Sequence, residues 1–189
     1  GNDSLFNYIS NIVDSVEQRI YFSGLNVTEK RNVWISKFND LKTSSLLDTN
    51  QISYLDYLIS VHSIDLYDTA STYHQNFYAN FNSFWENGLN YFNEIELYLI
   101  FMELSNHLIY QLWSDPESTV GAIFGGGGGT SIKTCDCSGG SRYTCGRITS
   151  VYMAGIEIEY GDCNSVTCAD SKYGCGFGWG WGCTGVCSF

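Results

Sequence analysis

Residues 135–189 read CDCSGGSRYTCGRITSVYMAGIEIEYGDCNSVTCADSKYGCGFGWGWGCTGVCSF and hold every cysteine of the chain. The 134 residues before this stretch contain none, and five glycines, Gly125 to Gly129, separate the two regions. We therefore divide the chain into a helical domain at 1–120, a Gly-rich linker at 121–133 and a cysteine-rich module at 134–189. The predicted fold class is α+β, with an all-α N-terminal domain and a small disulfide-rich β/loop module.

The spacing of the cysteines favours disulfides over a metal site. Successive cysteines are 2, 8, 18, 5, 7, 8 and 4 residues apart, so no Cys-x-x-Cys occurs, and the module contains no histidine. Zinc sites usually show such knuckles or histidine ligands, whereas an even, clustered set indicates disulfides formed in an oxidising compartment. We expect four disulfides, no metal and a secreted or cell-surface location. The eight residues are Cys135, Cys137, Cys145, Cys163, Cys168, Cys175, Cys183 and Cys187, and 105 pairings of them remain open.

Two alternating segments of the module predict a β-hairpin. In 147–153, Ile148, Ser150 and Tyr152 would lie on one side of a strand and the other four residues on the opposite side. Residues 156–160 alternate again, and Ala154-Gly155 could form the turn between the two segments. The loops around this hairpin contain so few apolar residues that disulfides must hold them.

Glycine alternates with large aromatic residues in Gly176-Phe177-Gly178-Trp179-Gly180-Trp181-Gly182. In a strand, Phe177, Trp179 and Trp181 would line one face and form an interaction surface for a membrane interface, a sugar or a receptor. Alternatively, the rings cover the disulfides and replace a core. The residues favour neither interpretation over the other.

Apolar spacing in the first 120 residues predicts a series of capped helices. The expected segments are a helix over 4–22 capped by Asp3 or Ser4, a second capped by Thr28, a third capped by Asp48 or Thr49, an aromatic helical stripe over 70–90, and a central, most buried helix over 94–113 that ends before Pro116. The aromatic stripe is interpreted as packed core.

Charge and motifs exclude several classes of function. The net charge is −11, with fifteen acidic and five basic residues in 1–124, so nucleic acid is disfavoured as a partner. The most apolar window, Leu97–Met102, is too short to cross a bilayer. His62, His74 and His107 lie in separate predicted helices with no nucleophile motif beside them, so we predict no catalytic residues, no cofactor and no enzyme activity.

Three tripeptides, Asp3-Ser4-Leu5, Asp14-Ser15-Val16 and Asp68-Thr69-Ala70, match an Asp-Ser/Thr-apolar pattern of O-glycosylation in some Gram-negative envelopes. Ser4, Ser15 and Thr69 are the candidate glycosylation sites. Such tripeptides also occur by chance.

The module resembles a known family of bacteriocins. Cys135-Asp136-Cys137, Cys175-Gly176-Phe177-Gly178-Trp179 and the terminal pair Cys183 and Cys187 are similar to the cysteine pattern of fulvocin C-related proteins. This resemblance covers about a third of the chain and implies a secreted, disulfide-rich module of antimicrobial type behind a helical region. The net charge of the module with its linker, five acidic against four basic residues in 125–189, differs from that of cationic membrane-active peptides.

Three functions remain open. The first is a bacteriocin-like effector module carried by a helical domain. The second is a non-toxic accessory or subunit in which both parts dock onto an outer-membrane complex or another surface protein. The third is a carbohydrate-binding module that uses the aromatic tail.

Overall fold

The computed structural model describes residues 2–116, 137, 145–152, 155–165, 168 and 171–188. In this part of the chain the helices are α1 (Asn2–Ser10), α2 (Ser15–Ser23), α3 (Val27–Lys42), α4 (Thr49–Val61), α5 (Thr72–Ala79), α6 (Phe81–Gly88), α7 (Glu94–Met102) and α8 (His107–Ser114). Short 3-10 turns in the same described residues lie at Ile64–Tyr67 and Phe177–Trp179. The strands are β1 (Gly146–Tyr152), β2 (Gly155–Tyr160), β3 (Asp162–Asn164), β4 (Ser171–Cys175), β5 (Trp181–Cys183) and β6 (Val186–Ser188). The predicted α+β class is confirmed.

The predicted helix over 4–22 is wrong, because the segment forms two helices. The side chain of Asp14 accepts hydrogen bonds from the backbone N–H groups of Val16 (2.8 Å) and Glu17 (2.9 Å), and this cap starts α2. Ser4 is inside α1, which begins at Asn2, so neither Asp3 nor Ser4 precedes the helix as a cap. A side-chain cap in the middle of an apolar pattern interrupts the helix while leaving its periodicity visible.

Capping boxes fix the starts of α3 and α4. The N-cap of α3 is Asn26, paired with Glu29, and not Thr28 as predicted. Asp48 caps α4 as expected, and its partner in the capping box is Gln51. In each box two N–H groups that lack an intrahelical acceptor are satisfied reciprocally.

The later apolar segments are each divided in two. Asn80 ends α5 and precedes α6, and its Nδ2 donates to the carbonyl of Asn76 at 2.8 Å. Glu103 ends α7 with extended dihedral angles, φ −109° and ψ 129°. The prediction that residues 97–102 lie at the centre is confirmed, since five of these six side chains are buried.

In the described residues of the module the strands form three two-stranded antiparallel sheets, β1–β2, β3–β6 and β4–β5. The predicted hairpin is β1–β2, with a register shift between Ile148 and Ser150 that interrupts strict alternation. The disulfides Cys137–Cys163, Cys145–Cys187 and Cys175–Cys183 join these segments.

One hydrophobic core serves both parts of the chain. Tyr173, Phe177 and Trp179 of the module belong to the same buried cluster as the helix side chains, and Tyr160 and Trp181 pack against it. The linker predicted at 121–133 lies outside the described residues, and the predicted domain boundaries remain predictions. None of the helices in the described ranges is both long and apolar enough to cross a bilayer.

Candidate functional site

The residues from Cys175 to Cys183 form a loop that is seated inside the helical domain. We call these nine residues the aromatic loop. They leave β4, form the 3-10 turn Phe177–Trp179 and return along β5, and the Cys175–Cys183 disulfide closes the base of the loop. The helices therefore surround a short segment whose two ends are covalently joined.

Glycine alternates with aromatic residues here because the loop has no room for further side chains. Gly178 has φ +60° and ψ 16°, in the left-handed region, and a Cβ at this position would overlap the His62 ring. At Gly180 a Cβ would overlap the hydroxyl of Tyr78. The glycines thus allow the backbone to approach the helices while the residues between them carry the rings.

Phe177 is fully buried among rings of the helical domain. Its ring centroid lies 5.1 Å from that of Phe101, 5.2 Å from Phe77 and 5.3 Å from Phe84. The Phe177 ring also stacks on that of Phe38 at 6.4 Å. Aromatic pairs at such distances stabilise by about 0.5–1.5 kcal/mol beyond the burial of their area.

Trp179, two residues after Phe177, contacts a different set of helices. Its ring makes edge contacts with Phe22 at 5.4 Å and Trp34 at 5.8 Å, and its Nε1 donates to the carbonyl of Met102 at 2.7 Å. The guanidinium carbon of Arg19 stands 5.7 Å from the ring centroid. Trp179 therefore joins α2, α3 and the C-terminal end of α7.

Tyrosine hydroxyls satisfy the buried carbonyl groups of the loop. Tyr78 donates to the carbonyl of Phe177 and Tyr67 donates to that of Gly178, each at 2.8 Å. Burial raises the pKa of both tyrosines, so both phenols keep the proton that these bonds require. A buried carbonyl without a donor costs roughly 1–3 kcal/mol of stability, so these two hydroxyls favour this backbone conformation over others. We call the part of the helical domain that surrounds the aromatic loop its seat.

His62 supports Tyr67 from the far side of the seat. Its Nε2 lies 2.7 Å from the Tyr67 hydroxyl. Because that hydroxyl donates to Gly178, His62 must donate from Nε2 and leave Nδ1 unprotonated. Burial, with a contribution from the charge of Arg31, lowers the pKa of His62 to about 3, so the ring is neutral at physiological pH. Nδ1 has no hydrogen-bond partner in the described part of the chain.

The structure corrects the exposed interaction surface predicted for Phe177, Trp179 and Trp181. Phe177 and Trp179 are 0% and 1% exposed, and they form a 3-10 turn, not one face of a strand. Trp181, half-buried at the start of β5, packs on Tyr78 with ring centroids 3.8 Å apart. The alternative of a buried role is correct, although the rings enter the core of the helical domain and do not simply cover the disulfides.

Seven of the eight cysteines lie in the described residues, and all seven are disulfide-bonded. Six of them form the three pairs given above, with Cα–Cα distances of 5.3–5.8 Å. Cys168 is also in a disulfide. Cys135 lies outside the described residues.

The candidate glycosylation sites Ser4, Ser15 and Thr69 are all exposed. The aspartates that precede two of them have structural roles: Asp14 caps α2, and Asp68 accepts a hydrogen bond from the N–H of Ala70 at 3.1 Å. Helix and turn formation therefore accounts for part of this sequence pattern. Modification at these sites remains a prediction.

Sequence reasoning missed Lys37, a fully buried lysine of α3. Its Nζ donates to the carbonyl of Leu99 at 2.6 Å and to that of Glu103, so it satisfies the C-terminal end of α7. Burial lowers the pKa of Lys37 to about 7, against the opposing charges of Glu103 and Asp40. Its position three residues after Trp34 and four before Leu41, on one helix face, was the available signal.

No model of a known protein family, no functionally curated protein and no solved structure matches this chain.

Proposed function

We propose that this chain acts uncleaved, as a secreted or cell-surface protein whose helical domain and cysteine-rich module dock together onto a cell-envelope complex or another surface protein. A disulfide-rich module on a helical domain is typical of an extracellular protein. The burial of Phe177 and Trp179 in the helical core supports the proposal that the chain acts uncleaved.

Separation of the two parts would be costly. It would expose both rings, leave a cavity between α3, α5, α6 and α7, and remove the acceptors of Tyr67 and Tyr78. Each large side chain contributes about 1.5–3 kcal/mol through burial alone. The parts would thus stay associated even where the connecting chain is cut.

A protease site in place of Gly125–Gly129 tests this association. After cleavage without reduction, the two pieces should elute together from a size-exclusion column at the position of the uncut chain. The same cleavage of a Phe177→Ala/Trp179→Ala variant should release separate pieces. Separation of the unsubstituted pieces would contradict the proposal.

Binding to cells tests the docking function directly. Labelled full-length protein should bind saturably to the surface of cells that produce it, and an excess of unlabelled protein should displace it. A chain that stays in the medium and binds no cells would refute a surface docking role.

The second candidate is a bacteriocin-like effector of the fulvocin C-related type, with the helical domain as its carrier. The cysteine pattern supports this candidate, and the buried aromatic loop gives the carrier a role, since Phe177 and Trp179 cannot contact a target until they are released. Growth inhibition of a bacterial panel by the cleaved but not the intact oxidised chain, and not after reduction and alkylation, would favour it. Inhibition by none of these samples would exclude it for that panel.

A further inference from the structure

A groove on the helical domain has the composition of a saccharide site. Its lining consists of three tyrosines, two asparagines and one serine: Asn50, Ser53, Tyr54, Tyr57, Asn87 and Tyr91. We call it the tyrosine groove. Its volume is about 310 Å³, which is within the range of small-ligand pockets.

The α4 residues of the groove form a single stripe. Asn50, Ser53, Tyr54 and Tyr57 stand at i, i+3, i+4 and i+7, and therefore share one face of the helix. Asn87 in the last turn of α6 and Tyr91 just after it form the opposite wall. The groove thus lies between two helices of the domain.

The rings of Tyr57 and Tyr91 remain accessible, whereas that of Tyr54 is buried, with the residue 3% exposed. Tyr91 stacks on Tyr54 with ring centroids 4.5 Å apart and an interplanar angle of 10°. Its carbonyl accepts a hydrogen bond from Nε2 of Gln51 at 3.0 Å, which ties the loop to α4. Tyr91 and Tyr57 are 37% and 43% exposed, so each offers ring surface to a ligand.

The polar side chains of the groove are free to bind a ligand. Asn50, Ser53 and Asn87 are exposed, and their side chains form no hydrogen bond within the described ranges. Each amide offers both donors and an acceptor, and the serine hydroxyl offers one of each. This set can serve the hydroxyl groups of a sugar, which also donate and accept.

The groove carries no charged side chain among its lining residues. The nearest carboxylate along α4, that of Asp56, is paired with Lys42. A neutral ligand is therefore favoured over a phosphate, an acidic sugar or a charged peptide, because nothing in the lining compensates a charge taken from water. Because the groove combines aromatic rings with neutral hydrogen-bonding groups and has no charged lining residue, we propose that the tyrosine groove binds a neutral oligosaccharide.

This site is distinct from the sugar site first considered on the aromatic tail, where Phe177 and Trp179 are buried. It lies wholly in the helical domain, so it does not depend on whether the chain acts cleaved or uncleaved. A failure of cell binding and a failure of saccharide binding are accordingly separate results.

The test is titration of the intact oxidised chain with neutral oligosaccharides of four to six units, built from glucose, mannose, galactose, xylose or N-acetylglucosamine. Saturation-transfer NMR would detect binding and calorimetry would measure it. We expect at least one of these oligosaccharides to bind below about 1 mM. Tyr57→Ala should weaken binding by about tenfold, because an exposed stacking surface is lost.

Two further variants keep the test specific. Asn50→Ala, on the exposed side of α4, should also weaken binding without affecting the fold. Tyr8→Ala, at a 58% exposed tyrosine of α1, should leave the affinity unchanged. The proposal is overturned if no oligosaccharide binds up to about 10 mM, if acidic sugars or peptides bind in preference, or if Tyr8→Ala weakens binding as much as Tyr57→Ala.

Discussion

Phe177→Ala should destabilise the N-terminal helices, although the nearest of them, α8, ends 63 residues earlier along the chain (177 − 114). The side chain is 0% exposed, and its ring lies 5.1–6.4 Å from those of Phe38, Phe77, Phe84 and Phe101. Truncation of a buried phenylalanine costs about 3–5 kcal/mol. For a chain of this length the thermal midpoint should fall by roughly 10 °C.

The assay is urea denaturation of the oxidised protein, followed by circular dichroism at 222 nm, where the helices dominate the signal. The control is Leu46→Ala, at a residue that is 64% exposed, and its free energy of unfolding should change by less than about 0.5 kcal/mol. If Phe177→Ala leaves the helical transition within about 1 kcal/mol of the unsubstituted chain, the aromatic loop is not part of the helical core and the reasoning fails.

Three further perturbations act on the seat of the loop and on Lys37. Gly178→Ala should lower the free energy of unfolding by about 1–3 kcal/mol or more, because Gly178 has φ +60° and a Cβ there would overlap the His62 ring. Gly24→Ala is its control in the same denaturation assay, since Gly24 has φ −79° and an added Cβ would make only an ordinary van der Waals contact. Acidification from pH 6.5 to 5 should destabilise the fold, because the unfolded His62 takes up a proton that the folded one, with a pKa of about 3, does not. His62→Gln should flatten this slope, and an unchanged slope would rule out His62 as its source. The free energy of unfolding should rise between pH 7 and 9, because Lys37 loses its proton above a pKa of about 7 in the folded protein and keeps it in the unfolded chain. In a pH series of urea melts, Lys37→Met should abolish that rise.

The general architecture of this chain could be predicted from local patterns. The cysteine set predicted the disulfide module, alternation predicted the β1–β2 hairpin, and apolar spacing predicted most helical segments. The burial of the α7 residues also followed, because apolar side chains occupy nearly every side of 97–102.

The helix divisions were missed because they depend on single polar contacts. Asp14 and Asn80 interrupt helices through bonds to nearby backbone groups, and neither disturbs the apolar period around it. Asn26 and Thr28 are both good capping residues, and only the reciprocal bond to Glu29 decides between them.

The position of the aromatic loop could not be deduced from its own residues. Phe177 and Trp179 suit an exposed strand face and a buried seat equally well. Their burial depends on Tyr67 and Tyr78, 111 and 99 residues away from the carbonyls they bind. The tyrosine groove was missed for a related reason, since its two walls come from separate helices.

The seat for the aromatic loop has a consequence for how the protein matures. Synthesis proceeds from the N-terminus, so the helices emerge while the rings that fill their interior do not yet exist. The helical segments must wait, incompletely packed, until residue 179 has left the ribosome. The helical domain therefore completes its packing only after the C-terminal module has been synthesised.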